Sequence, residues 1–525
     1  MNKRVYIFLI LILFLFIVIL RLLPGTVYTI SGLSIIIISV IIIDICHIED
    51  ALIRNYPIIG HLYYFFESLH PQLGQYFFGH KSSDRPFSQK TQSLVYKRSQ
   101  GKSTIISFGI QTDIISNGHE WVQHSLKPVP VEAIEPYIEI GGPQCRRTYK
   151  SSYLNISAMS LGAISNNAIL ALSSGARIGG FALNTGEGGI SPYHLEGGGD
   201  LIWQIGTGYF GCRSKDGRFE PQQFKEKAQI DTIKMIELKI SQGAKPSYGG
   251  ILPASKITNE ISSICNIPLG RDSILQPTHA TFTTPKEFLE FIAYLRELSG
   301  GKPIGIKLCL GRRSEFLGIC KAILETGILP DFITIDGAEG GAGAAPIEFA
   351  EHVGSPLTEA IVFIHNALVG INLRDHIRII VSGKIATGFD IISRIALGAD
   401  LCASARAFML SLGCVQALQC EKNTCPTGIA TQNKRLTWGL VVDEKKLRVA
   451  NFHALTIRSS LEILGSMGIS SPQELSPSYV FCQSKDGIAK KYSDLHHYLK
   501  PGDLLEAVLP KDFSHDWQLA DARSF

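Results

Sequence analysis

What this chain of 525 residues lacks narrows its reading first. It has no decisive charge, with 50 Lys+Arg against 46 Asp+Glu, and so gives no argument for a nucleic-acid partner. No small-x-small cleavage site follows its first apolar run, which argues against a cleaved signal peptide. No G-x-G-x-x-G follows its first candidate strand, where Gly162 stands alone, which argues against a dinucleotide-binding open sheet. The two close cysteine pairs of a four-ligand zinc site are also missing. Glycine, by contrast, is in surplus. Of 50, only Gly25 and Gly32 precede residue 47, which leaves the remainder of the chain above the usual share of about 7%. With 45% hydrophobic residues this surplus is not disorder, and it predicts backbone packed closely against something. Length alone offers about three domains.

Residues 5–20 are an almost unbroken Ile/Leu/Phe run, and residues 22–43 carry no charge. At about 1.5 Å per residue the second stretch is long enough for a hydrocarbon core of about 30 Å. Pro24 and Gly25 sit between the runs as a turn, so residues 1–46 predict a transmembrane helical hairpin. Lys3 and Arg4 favour a cytoplasmic N-terminus, and two crossings return the chain there. The expectation is a membrane-anchored protein whose soluble domain faces the cytoplasm. In that reducing compartment the eleven cysteines are not expected to form disulfides. Eight are scattered and read as small buried apolar residues. The other three, Cys414, Cys420 and Cys425, fall within twelve residues as C-x5-C-x4-C before Pro426. Three thiolates on one irregular loop can wrap a compact metal or iron–sulfur centre.

Between these features, short apolar runs alternate with longer helical patterns. Strands are predicted over residues 153–159, 181–184, 236–242, 305–309, 332–336, 377–382 and 400–405, and helices over 285–298, 315–326 and 388–397. Strand-then-helix repetition over about 270 residues predicts an α/β fold, a (β/α)8 TIM barrel, with an open doubly wound sheet as runner-up.

The unusual residues cluster where strands end. Eleven glycines lie within residues 179–211, with Glu187 embedded among them. Asp336-Gly-Ala-Glu-Gly-Gly-Ala-Gly343, Gly383-Lys-Ile-Ala-Thr-Gly388 and Ser404-Ala-Arg406 follow later strands. Backbone N–H groups in such loops approach a phosphate closely, and loops 383–388 and 403–406 are read as cradling a phosphorylated cofactor. Lys307 lies inside an apolar strand and Lys245 at a strand end, so each is expected to meet an anion. A Schiff-base lysine on an aldolase-like barrel stays open from these residues, although it leaves the three cysteines unexplained.

These segments together resemble a known family. Ser157-Ala-Met-Ser-Leu-Gly-Ala163, Asn184-Thr-Gly-Glu-Gly-Gly189, Gln242-Gly-Ala-Lys-Pro246, residues 336–346, Gly354-Ser-Pro356 and residues 383–388 are similar to the FMN-binding synthase domain of glutamate synthases. The match runs through Gly413-Cys-Val-Gln-Ala-Leu-Gln-Cys-Glu-Lys-Asn-Thr-Cys425, its most specific part. Arg54-Asn-Tyr-Pro-Ile-Ile-Gly-His61 looks like the short, membrane-anchored branch. The resemblance implies FMN, with Ala158, Met159 and Ser160 against its ring, Gln242 and Lys307 at its pyrimidine edge, and Gly383, Gly388, Ala403, Ser404 and Arg406 at its phosphate. It implies a 3Fe–4S cluster on Cys414, Cys420 and Cys425, and Glu187 and Lys245 as catalytic residues on the substrate side. The implied partners are 2-oxoglutarate or a related keto acid, ammonia, and an electron donor such as ferredoxin or a reductase subunit. The chain would divide into two transmembrane helices (1–46), a lead-in (47–150), the FMN barrel (151–410), an iron–sulfur loop with barrel-closing helices (411–470) and a C-terminal extension (471–525).

Departures from the family pattern matter. Met1-Asn2 opens an apolar segment where full-length enzymes begin a glutaminase with a cysteine, so free ammonia or a separate supplier is expected. Ile251 stands where those enzymes have glutamine, and Cys265 lies near an expected arginine. Two carboxylates need two cationic or donor sites, and Arg271 is the residue nearest in sequence to compensate. Three functions compete: reductive amination of 2-oxoglutarate to glutamate, the same cofactors acting on another keto acid or imine, and a membrane-tethered electron-transfer module without catalysis.

Overall fold

Eight short strands rich in Ile, Leu and Phe close into a parallel barrel in chain order: β1 Leu154–Ile156, β2 Ala182–Asn184, β3 Asp200–Ile205, β4 Ile233–Lys239, β5 Ile304–Leu308, β6 Phe332–Asp336, β7 Arg378–Ser382 and β8 Leu401–Ser404. β8 pairs with β1, Ala403 opposite Asn155, and this closing pair excludes the open doubly wound sheet. The computed structural model describes residues 25–46, 49–73, 86–107, 109–110 and 112–525. Seven of the strands overlap the predicted runs, β4 starting three residues and β5 one residue earlier than predicted. The eighth, β3, hides in the glycine-rich stretch, where Gly197, Gly198, Gly199, Gly206 and Gly208 frame the hexamer Asp200-Leu-Ile-Trp-Gln-Ile205.

The helices over Pro285–Leu298, Arg313–Thr326 and Gly388–Ala396 match the predicted ones within two residues. Two of them start on capping boxes. Thr284 with Glu287, and Thr387 with Asp390, satisfy N–H groups that the first turn leaves bare. Strand residues alternate between the two faces. Ile306, Ile333 and Trp203 are buried among the surrounding helices and their flanking segments, while polar side chains turn inward.

Two outer segments hold the barrel's ends. The antiparallel hairpin of Tyr137–Ile140 with Tyr149–Ser152 sits at the N-terminal rim, where the Gly142 N–H donates to Asp331 Oδ1 at 2.8 Å. The C-terminal extension adds Val480–Gln483 beside Glu120–Val122, and its Lys511–Leu519 helix stacks Phe513 on Phe363 at 5.0 Å.

The first apolar run of the expected hairpin, with its Pro24 turn, lies outside the described residues. The second run is helical over Gly25–Ile45, with Leu33, Ile36, Ile37 and Ile38 exposed. Among the described residues no helix is long and apolar enough to cross a membrane.

Candidate functional site

The inward-facing side chains of the barrel are charged and mutually satisfied. Glu237 of β4 accepts from Asn184 Nδ2 at 2.7 Å and Gln204 Nε2 at 2.6 Å on one oxygen, and from Thr334 Oγ1 at 2.5 Å on the other. Above it, Lys307 Nζ lies 3.5 Å from Asp336 Oδ2, which also accepts from the Gly243 N–H at 2.9 Å. Burial alone would pull Lys307 down, but Asp336, Glu237 and Glu187 outweigh it and hold its pKa above the ordinary lysine value.

Toward the C-terminal ends of the strands this polar axis opens into a cavity of about 480 Å³, within the range of small-molecule and cofactor sites. Glu187, from the loop after β2, pairs with Lys239 Nζ at 2.8 Å. Burial pushes the Glu187 carboxyl up, yet Lys239, Lys245 and Lys307 together bring it below the usual carboxylate value, so it is ionised at neutral pH. Burial and repulsion from Lys239 lower Lys245, partly offset by Glu187. Gly186 makes this approach feasible. It sits at φ +64, and a Cβ there would come 2.7 Å from the Ser160 backbone nitrogen. Gly243 does the same between the loops after β4 and β6, since its Cβ would meet the Gly337 carbonyl at 2.0 Å.

Of the residues expected at a cofactor, Ala158, Met159, Ser160, Gln242, Lys307 and Arg406 line this cavity. Gly383, Gly388, Ala403 and Ser404 do not. A Cβ at Gly388 would press on the Ser460 backbone 2.5 Å away, and Ser404 Oγ donates to Ile385 O at 2.6 Å. Arg406 donates to Glu339 O at 2.6 Å and lies over the Phe87 ring at 5.6 Å. The lining fits a flat, phosphate-bearing cofactor. It carries a buried cation in Lys307, the Gln242 amide and the Arg406 guanidinium, and Gly340 and Gly341 add backbone without side chains.

Cys414, Cys420 and Cys425 open onto the same cavity and lie close enough to influence one another's ionisation. Burial, and then the other two thiols, push Cys414 up to about 12, so protein alone does not favour its thiolate. Among the described residues no three His, Cys, Asp or Glu side chains form a group that could hold a metal ion. Lys256 stands beside the thiols, with Nζ donating to the carbonyls of Cys420 at 2.6 Å and of Ala163 and Ala430 at 3.3 Å. The other eight cysteines are also free thiols; five are buried as expected, Cys145 and Cys482 are half-buried, and Cys46 is exposed.

Several residues escaped sequence reasoning. Lys239 carried the signal used for Lys307, a lysine alternating into an apolar strand, in Ile236-Glu-Leu-Lys239. The lead-in gave none, yet it clamps the cysteine loop. The Phe87 N–H donates to Gln416 Oε1 at 3.0 Å, Gln416 Nε2 donates to Gln92 Oε1 at 2.9 Å, Tyr96 OH donates to the Cys414 carbonyl, and Asn55 Nδ2 donates to Pro426 O at 2.8 Å.

A family model described as the conserved region in glutamate synthase matches residues 122–470. The glutamate synthase large subunit-like protein YerD of Bacillus subtilis (strain 168) is 36% identical over 491 residues, which cover 86% of this chain and 93% of that protein. The archaeal-type glutamate synthase (NADPH) of Thermotoga sp. (strain RQ2) is 35% identical over 319 residues, 61% of this chain and 60% of that one. The ferredoxin-dependent glutamate synthase of Antithamnion sp. is 31% identical over 279 residues, 52% of this chain and 17% of that one. The matched region takes in the whole barrel and the cysteine loop, and this chain belongs to the glutamate synthase family.

Proposed function

We propose that the chain is an FMN-dependent oxidoreductase that reductively aminates a 2-oxo acid with ammonia. The observation that carries this reading is that one cavity is lined both by the Glu187–Lys239–Lys245 group and by the three thiols. When bound, the flavin supplies a hydride and an iron–sulfur cluster of the 3Fe–4S type supplies its electrons singly from a donor protein such as ferredoxin. Cys414, Cys420 and Cys425, which do not converge as a site for a single metal ion but all line the cavity, would hold the cluster. In the reaction the keto oxygen leaves as water while the C=N bond forms, then the imine carbon gains two electrons with a hydrogen and the nitrogen takes up a proton.

The protein's own groups divide the remaining work. Lys245 holds the substrate's 1-carboxylate as a point charge. Glu187, ionised and fixed by Lys239, accepts N–H hydrogen bonds from ammonium and from the protonated imine, which favours the charged nitrogen where it forms. Lys307, cationic on its Asp336 partner, would stand at the flavin's pyrimidine edge and would favour the electron-rich reduced ring. We extend the proposal to a membrane anchor at the apolar N-terminus, supported by the exposed Leu33, Ile36, Ile37 and Ile38; recovery of the full chain from washed membranes tests it.

The reading predicts that chemically reduced protein, given ammonia and a 2-oxo acid under anaerobic conditions, reoxidises its flavin and yields the amino acid. If no 2-oxo acid reoxidises the flavin, the proposal fails. Cys420→Ser is expected to remove iron and the broad visible absorption while the barrel stays folded by circular dichroism. A variant that keeps both iron and absorption removes Cys420 from the cluster.

A further inference from the structure

The cavity holds five cationic side chains, and four have their charge engaged. Lys239 pairs with Glu187 at 2.8 Å, Lys307 with Asp336 at 3.5 Å, Lys256 is held by three carbonyls, and Arg406 donates to Glu339 O. Lys245 alone has no ion pair or hydrogen bond on Nζ among the described residues. Lys245 feels Glu187 only through space, and one lysine without a contact partner matches one carboxylate.

Next to the Glu187–Lys239 pair the cavity wall is apolar. A Cβ on Gly250 would touch Leu275 at 2.9 Å and Glu187 Oε1 at 3.2 Å, so the carboxylate and this wall adjoin. Ile251, Leu252, Phe210 and Leu275 line the cavity here, and Ile251 is 41% exposed. Cys265, in the same wall, gives its S–H to Gly188 O at 3.4 Å. Neither nearby arginine reaches in. Arg271 is exposed and does not line the cavity, and Arg213 donates to Gly208 O at 3.0 Å and lies over the Phe210 ring at 5.7 Å, also outside the lining.

We infer that the acceptor is a 2-oxo monocarboxylic acid with an apolar side chain, its carboxylate on Lys245 and its side chain against Ile251, Leu252, Leu275 and Phe210. The inference rests on the amination reading for its chemistry, though not for its binding. A second carboxylate placed on this wall would lose water without gaining a cation, whereas an alkyl or aryl group buries apolar surface there. Ile251 is then a specificity-determining residue, because it occupies the wall position nearest the solvent from which a second donor would reach the substrate.

The test uses the full chain with its flavin and iron loaded, titrated with 4-methyl-2-oxopentanoate and with 2-oxoglutarate and followed by calorimetry. The branched acid is expected to bind at least about tenfold tighter. Lys245→Gln should weaken it by a similar factor, and Ile251→Arg, at a position exposed enough to accept the side chain, should reverse the order of the two acids. Equal or tighter binding of 2-oxoglutarate to the unaltered protein, or binding of neither acid, overturns the inference. Turnover separates the two ideas. If the branched acid binds tighter but does not reoxidise reduced flavin with ammonia, amination fails and the ligand class stands; if 2-oxoglutarate binds tighter and is aminated, the reverse holds.

Discussion

Acidification from pH 7 toward pH 4 is expected to unfold this protein steeply, because burial favours the neutral form of four of its histidines. Burial lowers His194 and His453 from 6.5 to about 3, and His279 and His365 to about 4. Their hydrogen bonds agree. His194 Nδ1 accepts from the Ser191 N–H at 3.0 Å and His365 Nδ1 accepts from Arg374 Nε at 3.1 Å, so neither nitrogen carries a proton. His279 Nε2 donates to Lys239 O at 2.8 Å and its Nδ1 faces the Tyr209 hydroxyl at 3.1 Å. The His453 ring lies flat on Phe181, 3.8 Å between centroids, with Nε2 shared between Leu154 O and Ser152 Oγ. Since each folded value is below the unfolded one, their contribution is complete above pH 6.5 and falls as the pH drops through the folded values. Near pH 5 the unfolded chain binds about four more protons than the native one, a slope of about 5 kcal/mol per pH unit. A typical stability of about 5–15 kcal/mol is exhausted within about one to three pH units at that slope. Guanidinium titrations at half-unit steps from pH 7.5 to 5 measure it. His453→Gln should remove about one proton's share of the slope, about 1.4 kcal/mol per unit. A slope no steeper than that of one proton means that these rings are charged in the native state.

Glu237→Leu is the second large effect, a loss of about 4 kcal/mol of unfolding free energy. Glu237 is 1% exposed and ties β2, β3 and β6 to β4 through Asn184, Gln204 and Thr334. Leucine fills a similar volume, so the cost comes from three donors left bare in a dry interior and from Lys307, which loses one of the anions that balance it. Glu237→Gln keeps one carbonyl acceptor and should cost less than leucine. Equilibrium unfolding in guanidinium ranks the two, and a leucine variant as stable as the parent would sink the account of Glu237 as the hub of the barrel.

The barrel was legible in sequence because its strands are apolar runs of length 3–7 spaced by helical patterns, and such runs survive in one dimension. β3 was not, since the glycines that let backbone approach the cavity also look like loop. The cysteines stood out by spacing, and Lys307 by its cost in an apolar strand. Lys239 carried the same strand signal as Lys307 and was passed over, whereas Lys256 looks ordinary in sequence because what distinguishes it is the loop carbonyls it gathers. The phosphate-side glycines were read from loop composition, yet composition cannot tell a glycine facing a cavity from one packed under a helix, as Gly388 is under Val442–Ser466. The lead-in's contacts with the cysteine loop join residues more than 300 apart, and nothing local records them.

That clamp sets where the chain can be shortened. The region matched by the family model starts at residue 122, and a fragment cut there would keep all eight barrel strands. It would discard Asn55, Phe87, Gln92 and Tyr96, leaving Gln416, Pro426 and the Cys414 carbonyl without their outer partners. A cut at residue 49 removes the apolar helix and spares every one of those contacts. The family boundary and the smallest unit able to hold its own cysteine loop in shape are therefore different lengths of chain.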